Sequence, residues 1–72
     1  MEQLSVGENL VPINLTQALK RLGWVMHGGE AKALIADGMV RVNGEVEFRK
    51  RRKLAVGDVI ELEGGLRVTL VP

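Results

Sequence analysis

Cysteine and tyrosine are absent from this chain, histidine occurs once (His27), and the aromatic residues are one Trp and one Phe. Each shortage excludes something. Without cysteine there is no disulfide framework, and one histidine cannot supply the roughly four Cys/His ligands of a structural zinc site. There is no cysteine nucleophile and no Ser/His/Asp set. Ser5 falls in an aperiodic N-terminal stretch, and His27 stands alone, with no obvious orienting carboxylate nearby in sequence. Glu61 and Glu63 share one strand face, where neighbouring carboxylates are ordinarily solvated. The expectation is a protein that is not an enzyme and needs neither cofactor nor metal. Residues 1–9, MEQLSVGEN, have no basic n-region and no apolar h-region, and no stretch approaches the ~20 apolar residues of a membrane helix. A cytoplasmic protein is expected.

What is present is aliphatic residues and clustered charge. With 72 residues the chain makes one small domain, and 46% hydrophobic content allows a core of Val, Leu, Ile and Ala. The formal net charge is +1, yet five cations run consecutively: Arg49, Lys50, Arg51, Arg52 and Lys53. The other five cations are outnumbered by nine acids, so a mildly acidic body carries one concentrated positive spot.

Residues 1–9 lack periodicity and read as a mobile tail, leaving 10–72 as a single domain. Pro12 biases its neighbour toward extended geometry. Asn14 is placed to cap a helix, with Gln17 completing a capping-box variant; Leu15, Ala18, Leu19 and Leu22 then follow at helical spacing, and Gly23 ends the run. After WVMH, a second short helix is expected from about Gly28 to Asp37, with Ala31, Leu34 and Ile35 buried and Gly38 beyond its end. The remainder reads as strands. Val40 and Val42 alternate with Arg41, and Asn43-Gly44 signals a tight turn. A two-residue loop would set Val42 against Glu45 and mix the faces. A three-residue loop, with Val42 opposite Val46 and Val40 opposite Phe48, keeps the apolar residues together and is the expected register. Phe48 then belongs to the core, as does Trp24. Ile60 and Leu62 pair with Leu66, Val68 and Leu70 across Gly64-Gly65, leaving Glu61, Arg67 and Thr69 outward. The fold class is α+β: two short packed helices followed by a small, mainly antiparallel β-sheet.

The basic block lies between two strand segments, so the fold fixes its ends. Five like charges held together repel one another in a domain with little stability to spare. A polyanion relieves that repulsion, and phosphates are the usual partner because each contact releases condensed counterions. Arginine also offers planar donors matched to phosphate. Lys20 and Arg21 on the first helix and Lys32 on the second could extend the patch if the helix pair packs beside it. The glycine-rich HGGE opens the second helix. It lacks the Lys-Ser/Thr of a nucleotide-binding loop, and the plain reading is that its glycines turn the chain between two helices; the sharper alternative is a seat for a backbone phosphate. With so few aromatics, backbone and shape recognition of structured RNA is expected, not stacking on bases.

The series LKRLG, GEAK, G-x-V-x-VNG, the basic stretch and KL-x-x-GD, in that order over about residues 13–63, resembles the S4-like RNA-binding domain, most closely its small bacterial single-domain members. The resemblance implies an αL motif: two antiparallel helices on a small sheet, with RNA held along the helix pair and adjacent loops. It implies RNA contacts at or beside Lys20, Arg21, Lys32, Arg41, Arg49, Lys50, Arg51 and Lys53, with Arg52 inside the same block. Asn43 and Gly44 match its turn, and Asp58 matches a structural position. His27 stands where many members have Ser, which removes a good helix cap and could add a switchable cation near a phosphate. In larger relatives such a domain is appended to a modifying enzyme or a tRNA synthetase; no catalytic domain is expected within these 72 residues. The implied partner is ribosomal or transfer RNA, with the ribosomal subunit as one setting and a monomer as the binding unit. A protein-interaction module is the competing reading. A ubiquitin-like carrier would need a C-terminal Gly-Gly, whereas this sequence closes with TLVP, and a docking role through the Glu-bearing strand face leaves the basic block unexplained.

Overall fold

The computed structural model describes residues 2–5 and 13–71. Helix α1 (Leu15–Arg21) begins as its sequence dictates. Asn14 adopts extended geometry, its side-chain oxygen accepts from the Gln17 N–H at 2.8 Å, and the Gln17 side chain accepts from the Asn14 N–H at 2.9 Å. Both halves of the capping box form, and two donors that a helix start leaves orphaned are satisfied. Leu22 closes the helix, with Gly23 beyond it. Helix α2 (Gly28–Ala36) starts differently: His27 occupies the cap position in extended geometry, but its side chain makes no capping bond. The two helices pack on each other and bury Leu15, Ala18 and Leu19 from α1 and Ala31 and Ile35 from α2.

The strands are β1 (Glu2–Ser5), β2 (Ile13–Asn14), β3 (Val40–Val42), β4 (Glu45–Val46), β5 (Lys53–Leu54), β6 (Val59–Leu62) and β7 (Leu66–Val71). Five of them form one sheet in the order β1-β7-β6-β3-β4, antiparallel throughout except where β1 runs parallel to β7. The β6–β7 hairpin pairs Ile60 with Val68 and Leu62 with Leu66, as the alternation predicts. Val40, Val42, Ile60, Val68 and Leu70 face the helices and complete one core with Ile13, Val25 and Leu54. The separate pair β2–β5 sets Asn14 opposite Lys53 and so ties the end of the basic block to the start of α1.

Three expectations need correction. Glu2–Ser5 is not a free tail: its backbone pairs with Val68–Val71, giving the outer edge of β7 a hydrogen-bonded neighbour. Residues 6–12, which hold the rest of that stretch and the expected extended segment at Pro12, lie outside the described residues. The β3–β4 register is the two-residue one, with Arg41 opposite Val46 and Val42 opposite Glu45. Asn43 (φ 54°) and Gly44 (φ 84°) both take positive φ, which a type I′ turn demands and which matches the twist of a hairpin. A one-residue slip exchanges the faces. Phe48 therefore leaves the core and is 64% exposed, while Glu47 is buried in its stead, at 7% exposure. Trp24 packs at the core's margin, half-buried.

Candidate nucleic-acid interface

Burying a carboxylate costs heavily unless it is paired. Glu47 is paired twice. Arg49 grips it bidentately, Nε to Oε2 at 3.1 Å and Nη2 to Oε1 at 3.0 Å, and donates its backbone N–H to Oε2 as well. Arg52 adds Nη1 to Oε1 at 2.8 Å. The Arg49 hydrogen bonds, opposed by desolvation and assisted by Arg52, hold the Glu47 carboxyl down at about 2, and the same contact raises the Arg49 guanidinium further. Two cations of the block are thus spent on the fold. They bend residues 49–52 into a turn closed by the Arg52 N–H donating to the Arg49 carbonyl.

That turn is clamped to α1. The Leu15 N–H donates to the Arg52 carbonyl at 2.9 Å, and the Thr16 N–H and hydroxyl both donate to the Lys50 carbonyl, at 3.1 and 2.7 Å. The Leu15 and Thr16 N–H groups are taken by the basic loop and that of Gln17 by the Asn14 cap, so the first turn of α1 has no free donor for a ligand. In return the loop is held rigidly with the Lys50 and Arg51 side chains outward and exposed.

Their neighbours complete an open cleft. It is lined by Lys50 and Arg51 from the loop, Asn14, Thr16, Gln17 and Lys20 from the start and body of α1, and Gly28, Gly29 and Lys32 from α2. Four cations from three segments converge there, and no acid lines the cleft. Among the described residues, the Gly28 and Gly29 N–H groups have no protein acceptor, and α2 carries its positive dipole end at that rim. His27 sits beside Gly29, its Nε2 3.5 Å from Glu30 Oε1, while Glu30 accepts from the Met26 N–H at 3.0 Å.

The other sequence-predicted residues scatter. Lys53 is exposed on β5 opposite Asn14, beside the cleft but not in it. Arg21 is exposed at the end of α1, outside the cleft lining. Arg41 points away from the core on β3, in register with Glu61, which is in register with Arg67. Asn43 is engaged by the fold: its Nδ2 donates to Asp58 Oδ1 at 3.1 Å and its Oδ1 accepts from the Val59 N–H at 2.9 Å. Asp58 also accepts from the Ala55 N–H, and so joins two turns. Sequence reasoning missed Glu47 and Thr16. The signal for Glu47 was an acid two residues before a run of cations; for Thr16, nothing local marks a bond to a residue 34 positions away.

The described residues contain no group of three His, Asp or Glu able to hold a metal, and no helix is long and apolar enough to cross a membrane.

The Escherichia coli protein YbcJ, whose name offers RNA binding only provisionally, is 42% identical over 64 residues, covering 89% of this chain and 90% of its own. The Bacillus subtilis protein RlbA, named as a probable ribosome maturation protein, is 46% identical over 52 residues, covering 72% of this chain and 73% of its own. The solution structure of Escherichia coli YbcJ, described as revealing an αL motif involved in RNA binding, superposes with a TM-score of 0.74 at 38% identity, over 100% of this chain and 89% of that one. The sequence pattern of the S4 domain family matches residues 8–70, and this chain belongs to that family.

Proposed function

We propose that this protein binds structured RNA, without catalysing a reaction, by seating backbone phosphates in the cleft between the basic loop and the two helices. One observation carries the reading: Lys20, Lys32, Lys50 and Arg51, brought from three separate segments, line a single cleft that contains no carboxylate. Lysine and arginine there meet phosphate without a competing internal acid, and the free amides at the start of α2 supply two further donors. The name of the Bacillus subtilis relative favours ribosomal RNA over transfer RNA, and the similarity to an RNA-binding αL fold supports RNA as the polyanion. The protein acts in this reading as a monomer in the cytoplasm.

The test is binding to a ribosomal RNA fragment and to transfer RNA across a salt series. With about four to six phosphates engaged, log K falls against log salt with a slope of roughly −3 to −5. Neutralising Lys50 and Arg51 together should lower that slope by about two while the protein stays folded. Salt-insensitive binding, or a slope unchanged in the variant, overturns the proposal.

A further inference from the structure

Beside the phosphate cleft lies a second groove, with a different lining: Ile35 and Ala36 of α2, Phe48, and the side chains of Lys32, Arg49, Lys50 and Arg51. Three of these residues, Lys32, Lys50 and Arg51, belong to both clefts. Phe48 is 64% exposed here, the larger of only two aromatic exposures the chain can offer. Its position is nonetheless defined. Ring atoms Cε1 and Cζ lie 3.7 Å from where a Cβ on Gly38 would stand, beside a methyl of Val46, so the ring edge rests on the turn that ends α2. The groove that the exposed ring lines has Ile35 and Ala36 as its apolar members and Lys32, Arg49, Lys50 and Arg51 as its cations.

We infer that this groove is a stacking seat for one unpaired nucleobase of the RNA whose phosphates occupy the neighbouring cleft. The inference rests on the proposed RNA interface and sharpens it to a class of ligand: a helix interrupted by a bulge or ending in a loop. A base and its own phosphate are separated by a single sugar, so the two seats must adjoin, and the three shared cations place them side by side. Every π-face can stack on an aromatic ring, and arginine planes reinforce such stacks. The cations rimming the groove favour a polyanion over an apolar protein segment as its occupant. The slip of the β3–β4 register is what frees the ring: in the other register Phe48 would be core.

The experiment uses two RNAs, a fully paired 20-base-pair duplex and the same duplex with one bulged adenosine, and three proteins: wild type, Phe48→Leu and Phe48→Trp. Because the ring is exposed, both variants should fold, which circular dichroism checks. Wild type should prefer the bulged RNA by roughly tenfold, within the range that one stacked base contributes. Phe48→Leu keeps apolar bulk but has no aromatic face; it should erase the preference while binding the paired duplex, with its salt slope, as before. Phe48→Trp should keep or enlarge the preference. If wild type binds both RNAs equally, or if Phe48→Leu binds the bulged RNA as wild type does, the seat is refuted while the phosphate cleft stands, and the groove passes to a protein contact. If wild type binds neither RNA, the phosphate cleft falls and the seat with it.

Discussion

Two surfaces of this small protein carry arginines and lysines, and they are built on opposite rules. On the outer face of the sheet, Arg41, Glu61 and Arg67 stand side by side across β3, β6 and β7, so charges of alternating sign meet in register. On the face between the helices and the basic loop, Lys20, Lys32, Lys50 and Arg51 line a cleft that no acid enters. In the outer row a carboxylate stands between the two cations; the four cations of the cleft have no carboxylate among them. A count of cations does not separate the two. The block at 49–53 makes the same point internally, since Arg49 and Arg52 are paired with Glu47 while Lys50 and Arg51 line the cleft.

The largest effect expected from breaking this contrast is on RNA affinity. Lys50→Glu with Arg51→Glu should weaken binding on the order of 100-fold at moderate salt, because two charge-assisted contacts become repulsions; filter binding or fluorescence anisotropy reads it.

Next comes the inward half of the block. Glu47→Gln removes the charge that two arginines share. Arg49 is 74% exposed, and solvent screening reduces the contribution, so about 1–2 kcal/mol should be lost at pH 7, seen as a fall of roughly 4–8 °C in Tm for each kcal/mol. The folded carboxyl is held at about 2 against an ordinary 4.5, so its contribution is complete above about pH 5 and fades as pH falls from there toward 2. Thermal melts of wild type and variant should therefore converge in acid. A constant gap down to pH 2 would mean that packing, not charge, is at work.

Smaller still is Thr16→Val, which deletes the 2.7 Å bond from the hydroxyl to the Lys50 carbonyl. It should cost about 1 kcal/mol of stability and a few-fold of RNA affinity, without changing the salt slope, because no phosphate ligand is lost. The smallest effect belongs to the outer face: Arg41→Ala with Arg67→Ala should alter RNA affinity by less than about twofold.

Much of this was legible in the sequence, and the parts that were not share a cause. Asn14, Gln17 and Gly23 announce α1 because capping is a local affair of hydrogen bonds three residues apart. The β6–β7 pairing follows from strict alternation about Gly64-Gly65. The basic block was visible as composition. Its division into structural and outward cations was not, because that depends on which face Glu47 takes, and the register of β3–β4 decides it. Alternation favoured Phe48 inward, but the positive-φ demands of Asn43-Gly44 prevailed, and a doubly paired carboxylate made the polar burial tolerable. The joining of Lys20, Lys32 and the loop into one cleft likewise depends on contacts far apart in the chain, the β2–β5 pairing and the Thr16–Lys50 clamp. Arg41 and Asn43, indicated by their place in a family motif, sit respectively in the outer charge row and in a turn-bracing role.

The most direct measurement is an NMR titration of the isotope-labelled protein with a ribosomal RNA stem-loop, followed through its backbone amides. The largest shifts should fall on Thr16, Gly28, Gly29, Lys50 and Arg51, with Arg41, Glu61 and Arg67 unmoved. Shifts centred on the β3–β6–β7 face, with the cleft amides silent, would contradict the account.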